Sequence, residues 1–505
     1  MNQPEVIVLA PAAERQQRQS LWGVFNPDST RENNCPQYTP WVELLVEFGV
    51  NFAFDDEHRL PDELPADLSH VRCIMLDRQR LDELSNGPQK DLIHKLRCEG
   101  VHFQIISPTP PHAADLHMII SRMISTAGLT VNNPALHDRL AAVDDSRLVD
   151  GALKLLPRQV EVLSNDDASW AWGDPMSFHI FWPAEEAANY YQNPQIMDPC
   201  WWALKRGLDP ALWSGLLVHG KRYALKYAEH FKDNQVLRRV IDEVDTSPNH
   251  PHPIEWVYNG IRLGSDLKAP PGVDPTILPE RVRQNMWIWP ETGATLGEAA
   301  AYISRLTGDP QYAQAGVDHV LASDRWSFDA EHSLWRHIGL PDGPDKRSVC
   351  WGRGNGWMIY GVRGLLEDLP ENHPGRAGLI DMLRRGLEGL LRYQTPSGLW
   401  YNVIPAAPGE CRLDTSSAWM FINTYARAYW KGWLRDERIP EMCHKAWRGI
   451  KSRTWRGMPV SHCMGISHMR SPIGYYARYH GRFLPTALIL PWVEIQRMNA
   501  VASGR

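Results

Sequence analysis

From about residue 146 onward the chain is written in the period of an α-helix, and this constrains its fold more than any other feature. Apolar positions recur at three- and four-residue spacing through 212–231, 293–306, 310–322, 356–367, 377–394, 416–433, 440–453 and 483–497, with Pro- and Gly-containing turns between them. No strand ladder stands out among these segments. A helix with one apolar stripe must bury it against neighbours. Residues 319–337 and 389–402 repeat one plan, a helix, a polar turn and then Leu-Trp, with Trp335 and Trp400 standing 65 positions apart. That is the span of one helical hairpin with its loops, and hairpins that cannot bury themselves alone close into arrays or toroids.

Residues 1–145 read differently. Short apolar runs at 5–10, 50–54, 71–76 and 101–106 alternate with helical patterns at 41–49 and 89–99. The expected unit is a small α/β domain, Rossmann-like or flavodoxin-like, built on a parallel sheet. It has no GxGxxG, no P-loop and no nucleophile elbow, so a structural or oligomerising role fits it best and a homo-oligomer stays open. The expected division is therefore 1–145 and 146–505.

A formal net charge of −6 gives no basic surface for nucleic acid or an anionic membrane. The first residues lack a signal peptide's basic and apolar regions, and no stretch is long enough to span a bilayer, so a cytoplasmic protein is expected. Its eight cysteines lack CxxC spacing and read as reduced thiols. Of 22 tryptophans only Trp22 and Trp41 precede residue 146. Indoles stack on the apolar faces of sugar rings, and they also fill large cores.

The densest constellation is Cys350-Trp-Gly-Arg-Gly-Asn-Gly-Trp357, with Trp351, Arg353 and Asn355 between glycines and Trp357 at the expected helix start. Glycines allow a tight turn on which two indoles and a guanidinium can converge, and the planar fork of arginine matches a carboxylate. A carboxylated sugar stacked on tryptophan fits such a site, with Asn355 as a further sugar contact. A Gly-rich helix start with tryptophans in the core fits the residues equally well.

Taken with TGDPQY (307–312), SLWRH (333–337), QTPSGLW (394–400), LDTSSAWMF (413–421) and YYARYHGRFLPTALIL (475–490), WGRGNGW resembles the unsaturated uronyl hydrolases of glycoside hydrolase families 88 and 105 over about residues 285–495. The resemblance implies an (α/α)6 barrel that removes a terminal 4,5-unsaturated uronic acid from an oligosaccharide, an acid protonating the vinyl ether before water adds. By matched positions, Trp351, Arg353 and Trp357 would line the sugar subsite with Arg353 at the carboxylate, and His337 would be a further substrate contact.

The family's acidic motif, W-x-D-D-x-F-M, reads Trp287-Ile-Trp289-Pro-Glu291-Thr-Gly here. Glu291 is thus the expected general acid, with Trp287 and Trp289 as walls; a favourable charge at a helix N-terminus is its structural alternative. Ordinary hydrolysis by an exo-β-glucuronidase usually needs a second carboxylate, for which Asp209, Asp266 and Asp414 are available, Asp414 also reading as an N-cap. A non-catalytic sugar-binding scaffold on the same barrel is the remaining alternative; an epimerase would need a second histidine to partner His337. His250 with His252, Cys443 with His444 and His462 with Cys463 lack zinc-site spacing, so neither a metal nor a cofactor is expected.

Overall fold

The computed structural model describes residues 3–10, 39–53, 61–107, 113–131, 133, 136, 144–164, 181–208, 221–246, 255–258, 261–264, 290–340, 343–406, 413–452, 454–455, 458–462, 481–483 and 486–504. Four strands, β1 (Val6–Val8), β2 (Phe52–Ala53), β3 (Cys73–Leu76) and β4 (His102–Ile105), form one sheet in the order β2-β1-β3-β4, every pair parallel. Side chains alternate across such a sheet. Val6, Val8, Cys73 and Met75 pack on α1 (Thr39–Glu47) and, past α2 (Arg78–Asn86) and α3 (Lys90–Cys98), on α4 (Ala113–Ala127). Ile7, Leu9, Ile74 and Leu76 pack on the other face, against α2 and α3. Central strands covered on both faces read as continuous apolar runs, which is why 5–10 and 71–76 were legible as strands.

Beyond them α5 (Asp145–Ser164), α6 (Trp182–Tyr191), α7 (Asp198–Gly207), α8 (Lys221–Phe231), α9 (Asn234–Thr246), α10 (Pro290–Thr307), α11 (Pro310–Ser327), α12 (Gly352–Asp368), α13 (Arg376–Tyr393), α14 (Thr415–Trp430), α15 (Arg438–Ser452) and α16 (Thr486–Ala502) alternate between an outer and an inner ring. The inner helices α8, α10, α12, α14, α16 and α6 pack each on the next, and Phe181 against Tyr223 and Lys226 against Glu185 close the circle. This is an (α/α)6 barrel. Burial follows position: α14 is buried from Thr415 to Ala428, whereas α13 buries one stripe, Leu379, Met382, Leu383, Gly386, Leu387 and Leu390 among it.

The turn TGDPQY is helix punctuation. Gly308 takes φ +80 after α10, Asp309 accepts the Gln311 amide at 2.9 Å, and Pro310 occupies the first turn of α11. Close approach explains the pair Gly297 and Gly316: a Cβ on either would stand 2.9 or 2.7 Å from the other's carbonyl oxygen, where α10 crosses α11.

Two expectations need correction. α12 begins at Gly352, four residues before the expected start, because its glycines lie inside the helix: a Cβ at Gly356 would meet Met420 Sδ at 2.8 Å, so they let α12 approach α14. Short ladders also exist in the helical part. They are the hairpins β5 (Glu255–Tyr258) with β6 (Ile261–Gly264), β7 (Phe328–Asp329) with β8 (Leu334–Trp335), β9 (Gly339–Leu340) with β10 (Gly343–Pro344) and β11 (Trp400–Tyr401) with β12 (Leu413–Asp414), and a sheet of β13 (Thr454–Trp455), β14 (Met458–His462) and β15 (Gly481–Phe483). Most of these strands are two or three residues long, too short for a period-two pattern to register.

The two cores share a helix. Leu155 of α5 joins the core under the sheet, while Leu148, Val149, Ala152, Leu156 and Val160 of the same helix join the barrel core. Asp145, at its first turn, accepts hydrogen bonds from Trp447 Nε1 at 3.0 Å and Lys451 Nζ at 2.6 Å, and Tyr401 donates its hydroxyl to Glu47. No helix among the described residues is long and apolar enough to cross a membrane.

Candidate active site

The N-terminal ends of α12 and α14 approach closely: the backbone at Gly352 lies against the Ser417 side chain and at Gly356 against Met420. At the C-terminal ends Arg427 of α14 pairs with Glu367 of α12 at 2.9 Å, and Arg305 of α10 with Asp368 of α12 at 3.4 Å. The neighbouring inner helices are therefore parallel. One mouth of the barrel collects their N-termini, whose dipoles favour an anion.

Trp351 is the residue before α12. The bridge from Trp351 to Val403, with Gly352 N–H on Asn402 O at 2.7 Å and Ile404 N–H on Cys350 O at 3.0 Å, fixes its backbone, and its indole N–H donates to Asn402 Oδ1 at 3.0 Å. The Arg353 guanidinium lies 4.6 Å from the centre of the Trp351 ring, and His337 lies 4.8 Å from it on a tilted ring. At Gly354 a Cβ would stand 3.1 Å from the indole, so a larger residue there would press on it. Trp351, His337 and Trp357 are buried, and Arg353, half-buried with its Nε covered, is the guanidinium among them.

Asn355 does something other than the expected sugar contact. Its amide donates to Trp335 O at 2.8 Å and Trp351 O at 2.9 Å, and its carbonyl accepts Trp335 N–H at 2.8 Å. With those partners the buried side chain ties β8 to the start of α12. Asp414 caps α14, accepting Ser416 N–H at 2.8 Å, Ser416 Oγ–H at 2.7 Å and Ser417 N–H at 3.2 Å. Burial raises its carboxyl above the ordinary aspartate value, against the hydrogen bonds of Ser416 and the nearby charge of Arg353. Glu291 is the second residue of α10, and so belongs to the first turn of a helix adjacent to α12; its side chain lies outside the described residues, as do Trp287, Trp289, Asp209, Asp266, His250, His252 and Cys463.

The opposite mouth carries a network that the sequence reading missed. Around a cavity of about 730 Å³, Arg427 meets Glu186 and Glu494 at 2.5 Å each, Arg363 meets Glu186 at 3.1 Å, Arg497 meets Glu186 at 2.6 Å, and Arg222 meets Asp368 at 2.6 Å and Glu298 at 3.1 Å. Charged residues on the all-buried faces of inner helices were the available signal. Burial works to raise Glu367, but Arg427, Arg363 and Lys431 outweigh it and hold its carboxyl at about 2; the same balance, through Arg427, Arg363 and Arg497, keeps Glu186 well below the ordinary glutamate range. Carboxylates lowered in the folded state contribute stability above the unfolded value and lose it as pH falls. For Glu367, the drop from 4.5 to about 2 corresponds to about 3 kcal/mol at neutral pH, lost between those limits. Glu367→Gln should therefore flatten the acid limb of a denaturation-midpoint against pH profile between about 4.5 and 2; an unchanged limb would remove Glu367 from the account.

Residues 278–482 match the Glycosyl Hydrolase Family 88 model. The unsaturated 3S-rhamnoglycuronyl hydrolase of Alteromonas sp. is 30% identical over 176 residues, 33% of this chain and 41% of that protein. The enzyme of the same name from Formosa agariphila is 23% identical over 107 residues, 21% of this chain and 28% of that one. The chain thus spans less than half the length of these curated relatives. A possible member of the GH105 family from Klebsiella pneumoniae superposes with a TM-score of 0.54 at 17% identity, covering 71% of this chain and 95% of that one. A family 105 glycoside hydrolase of C. acetobutylicum gives 0.53 at 15% identity, covering 69% and 99%. Residues 278–482 are accordingly similar to glycoside hydrolase family 88, and the barrel around them has the fold of the family 105 structures.

Proposed function

We propose that the chain is a glycoside hydrolase that removes a terminal uronic acid from an oligosaccharide, the unsaturated acid in particular. The observation that carries this reading is Arg353 held over Trp351 at the mouth where inner-helix N-termini gather, a place suited to one carboxylate on one sugar ring. His337 lies 4.8 Å from the Trp351 ring; in this reading Trp357, Trp287 and Trp289 serve as walls and Glu291 as the proton donor. Glu291 gives its proton to the double bond of the vinyl ether; water adds to the carbon bearing the ring oxygen, and the hemiketal so formed opens to release the remaining sugar.

Hydration needs a single acid, whereas direct cleavage by an exo-β-glucuronidase calls on a second carboxylate flanking the bond. Asp414, with both oxygens engaged in capping α14, is poorly placed to serve as one. The comparisons support a uronyl substrate class, and the free thiols among the described cysteines suit a cytoplasmic setting. Residues 1–145 are assigned a structural or oligomerising role, and 146–505 the chemistry.

The test contrasts substrates. Loss of the alkene's ultraviolet absorbance from a lyase-derived oligosaccharide is the expected result; release from a saturated aryl glucuronide would favour direct hydrolysis instead, and turnover of neither, with binding retained, would leave a sugar-binding scaffold. Arg353→Met should lower kcat/KM on the order of 10²-fold, mostly through KM, because the substrate carboxylate loses its bidentate partner. A variant with parental KM would remove Arg353 from the subsite.

A further inference from the structure

The turn of the β7–β8 hairpin lies against the segment that enters α12, and three side chains of different chemistry converge there. Asp329 ends β7, His332 sits in the turn before Ser333, whose φ is +56, and Cys350 directly precedes Trp351. One ligand atom from each, a carboxylate oxygen, an imidazole nitrogen and the thiol sulfur, lies within 4.8 Å of the other two. Asp329 and Cys350 are buried, and His332 is half-buried, so the cluster has an approach from solvent on one side. The uronate subsite uses none of the three.

We propose that Asp329, His332 and Cys350 form a site for a borderline divalent cation, Zn²⁺ by its chemistry, which ties the hairpin turn to the entrance of α12. The donor set argues for the class of ion. Calcium and magnesium take oxygen ligands, whereas one sulfur, one nitrogen and one oxygen match zinc, with the fourth tetrahedral position open to water. Bond lengths of about 2.0–2.3 Å place tetrahedral ligand atoms about 3.3–3.8 Å apart. The separations, at most 4.8 Å, exceed that range by about 1–1.5 Å at the widest, so binding draws the three side chains together.

The surroundings both hold and oppose the ion. Arg336 Nε donates to Asp329 Oδ2 at 2.7 Å and Glu331 N–H to Oδ1 at 3.1 Å, while Arg336 is anchored on Ser348 O at 2.6 Å. Such outer contacts orient a ligating carboxylate, and the guanidinium charge weakens the affinity. His332 Nδ1 stands 3.0 Å from Asp329 Oδ2, and a metal would take the place of that contact. On binding, the metal–sulfur bond replaces the Cys350 S–H bond and the proton passes to solvent. Burial pushes the metal-free thiol up to about 12, which keeps it protonated and inert until a cation compensates. Occupancy would stiffen the strand that sets the Trp351 ring, with Arg353 above it.

Cobalt is the probe, because a thiolate bound to Co²⁺ produces an intense near-ultraviolet charge-transfer band. The full chain is titrated in a Cys98→Ser background, which removes the exposed contact of Cys98 with His94 at 3.7 Å. One equivalent of Co²⁺ should develop the band, Zn²⁺ should displace it, and Cys350→Ser and His332→Ala should each remove it or weaken binding at least about ten-fold. A background protein without the band, or a folded variant that weakens binding by less, overturns the site. If Cys350→Ser fails to fold, His332→Ala decides by the same criterion, since a part-exposed turn residue can be truncated without opening a buried cavity.

Discussion

Arg427→Leu should lower the stability of the barrel by about 3–5 kcal/mol, the cost of removing one partner from a buried ion network. Arg427 is 6% exposed and touches three carboxylates, Glu186, Glu367 and Glu494, the last of them fully buried. Without the guanidinium, Glu494 keeps Arg497 at 2.8 Å and the Trp430 indole N–H at 2.7 Å, and Glu186 keeps Arg363 and Arg497. Those contacts limit the loss and place the expectation inside that range instead of above it. The double replacement Arg427→Leu with Glu494→Leu should recover part of it, because a buried carboxylate left with one cation fewer goes too, although Arg497 and the Trp430 indole N–H then lose it as an acceptor. Denaturant midpoints with matched slopes are the measurement, and a single-variant loss under about 1 kcal/mol would show that the network is dispensable.

The second large effect concerns the other mouth. Glu291→Gln should lower kcat on an unsaturated oligosaccharide by about 10²- to 10⁴-fold while KM and the unfolding midpoint stay near the parental values, the pattern of a lost general acid. The substitution is nearly isosteric, so the helix start after Pro290 is preserved. Activity within about three-fold of the parent would move the proton donor elsewhere. A fall in stability together with activity would assign Glu291 to the helix N-terminus alone.

The fold was legible wherever a period was long enough to register. The helices from α10 to α16 lie within a few residues of the apolar pattern, and the four parallel strands within two or three. Asp414 also behaves as its sequence context suggested, capping α14. Most of the hairpins escaped because two-residue strands have no period. Asn355 escaped for another reason: a polar residue between glycines looks the same whether its amide meets a sugar or the backbone of Trp335. The network of Arg427 and the cluster of Asp329, His332 and Cys350 unite residues from distant turns and helices, so no local spacing announces them. Nearby pairs such as Cys443 with His444 drew the metal question instead, and there Cys443 is buried while His444 Nε2 lies 3.0 Å from Asn499 Oδ1.

The ring closed by α6 and α16 also sets an order on how the molecule is made. Arg497 reaches Glu186 across 311 positions of sequence, so that contact forms only after almost the whole barrel has left the ribosome. Until then Tyr190 and Tyr191 at the end of α6 lack Trp492 of α16, the ring against which both pack. The parallel sheet, whose strands all precede residue 106, can assemble while the ring is still open, leaving a growing chain with one finished unit and one apolar crescent. Capture of that crescent by a chaperone, or by a second unfinished chain, is the hazard that a late closing contact brings to synthesis.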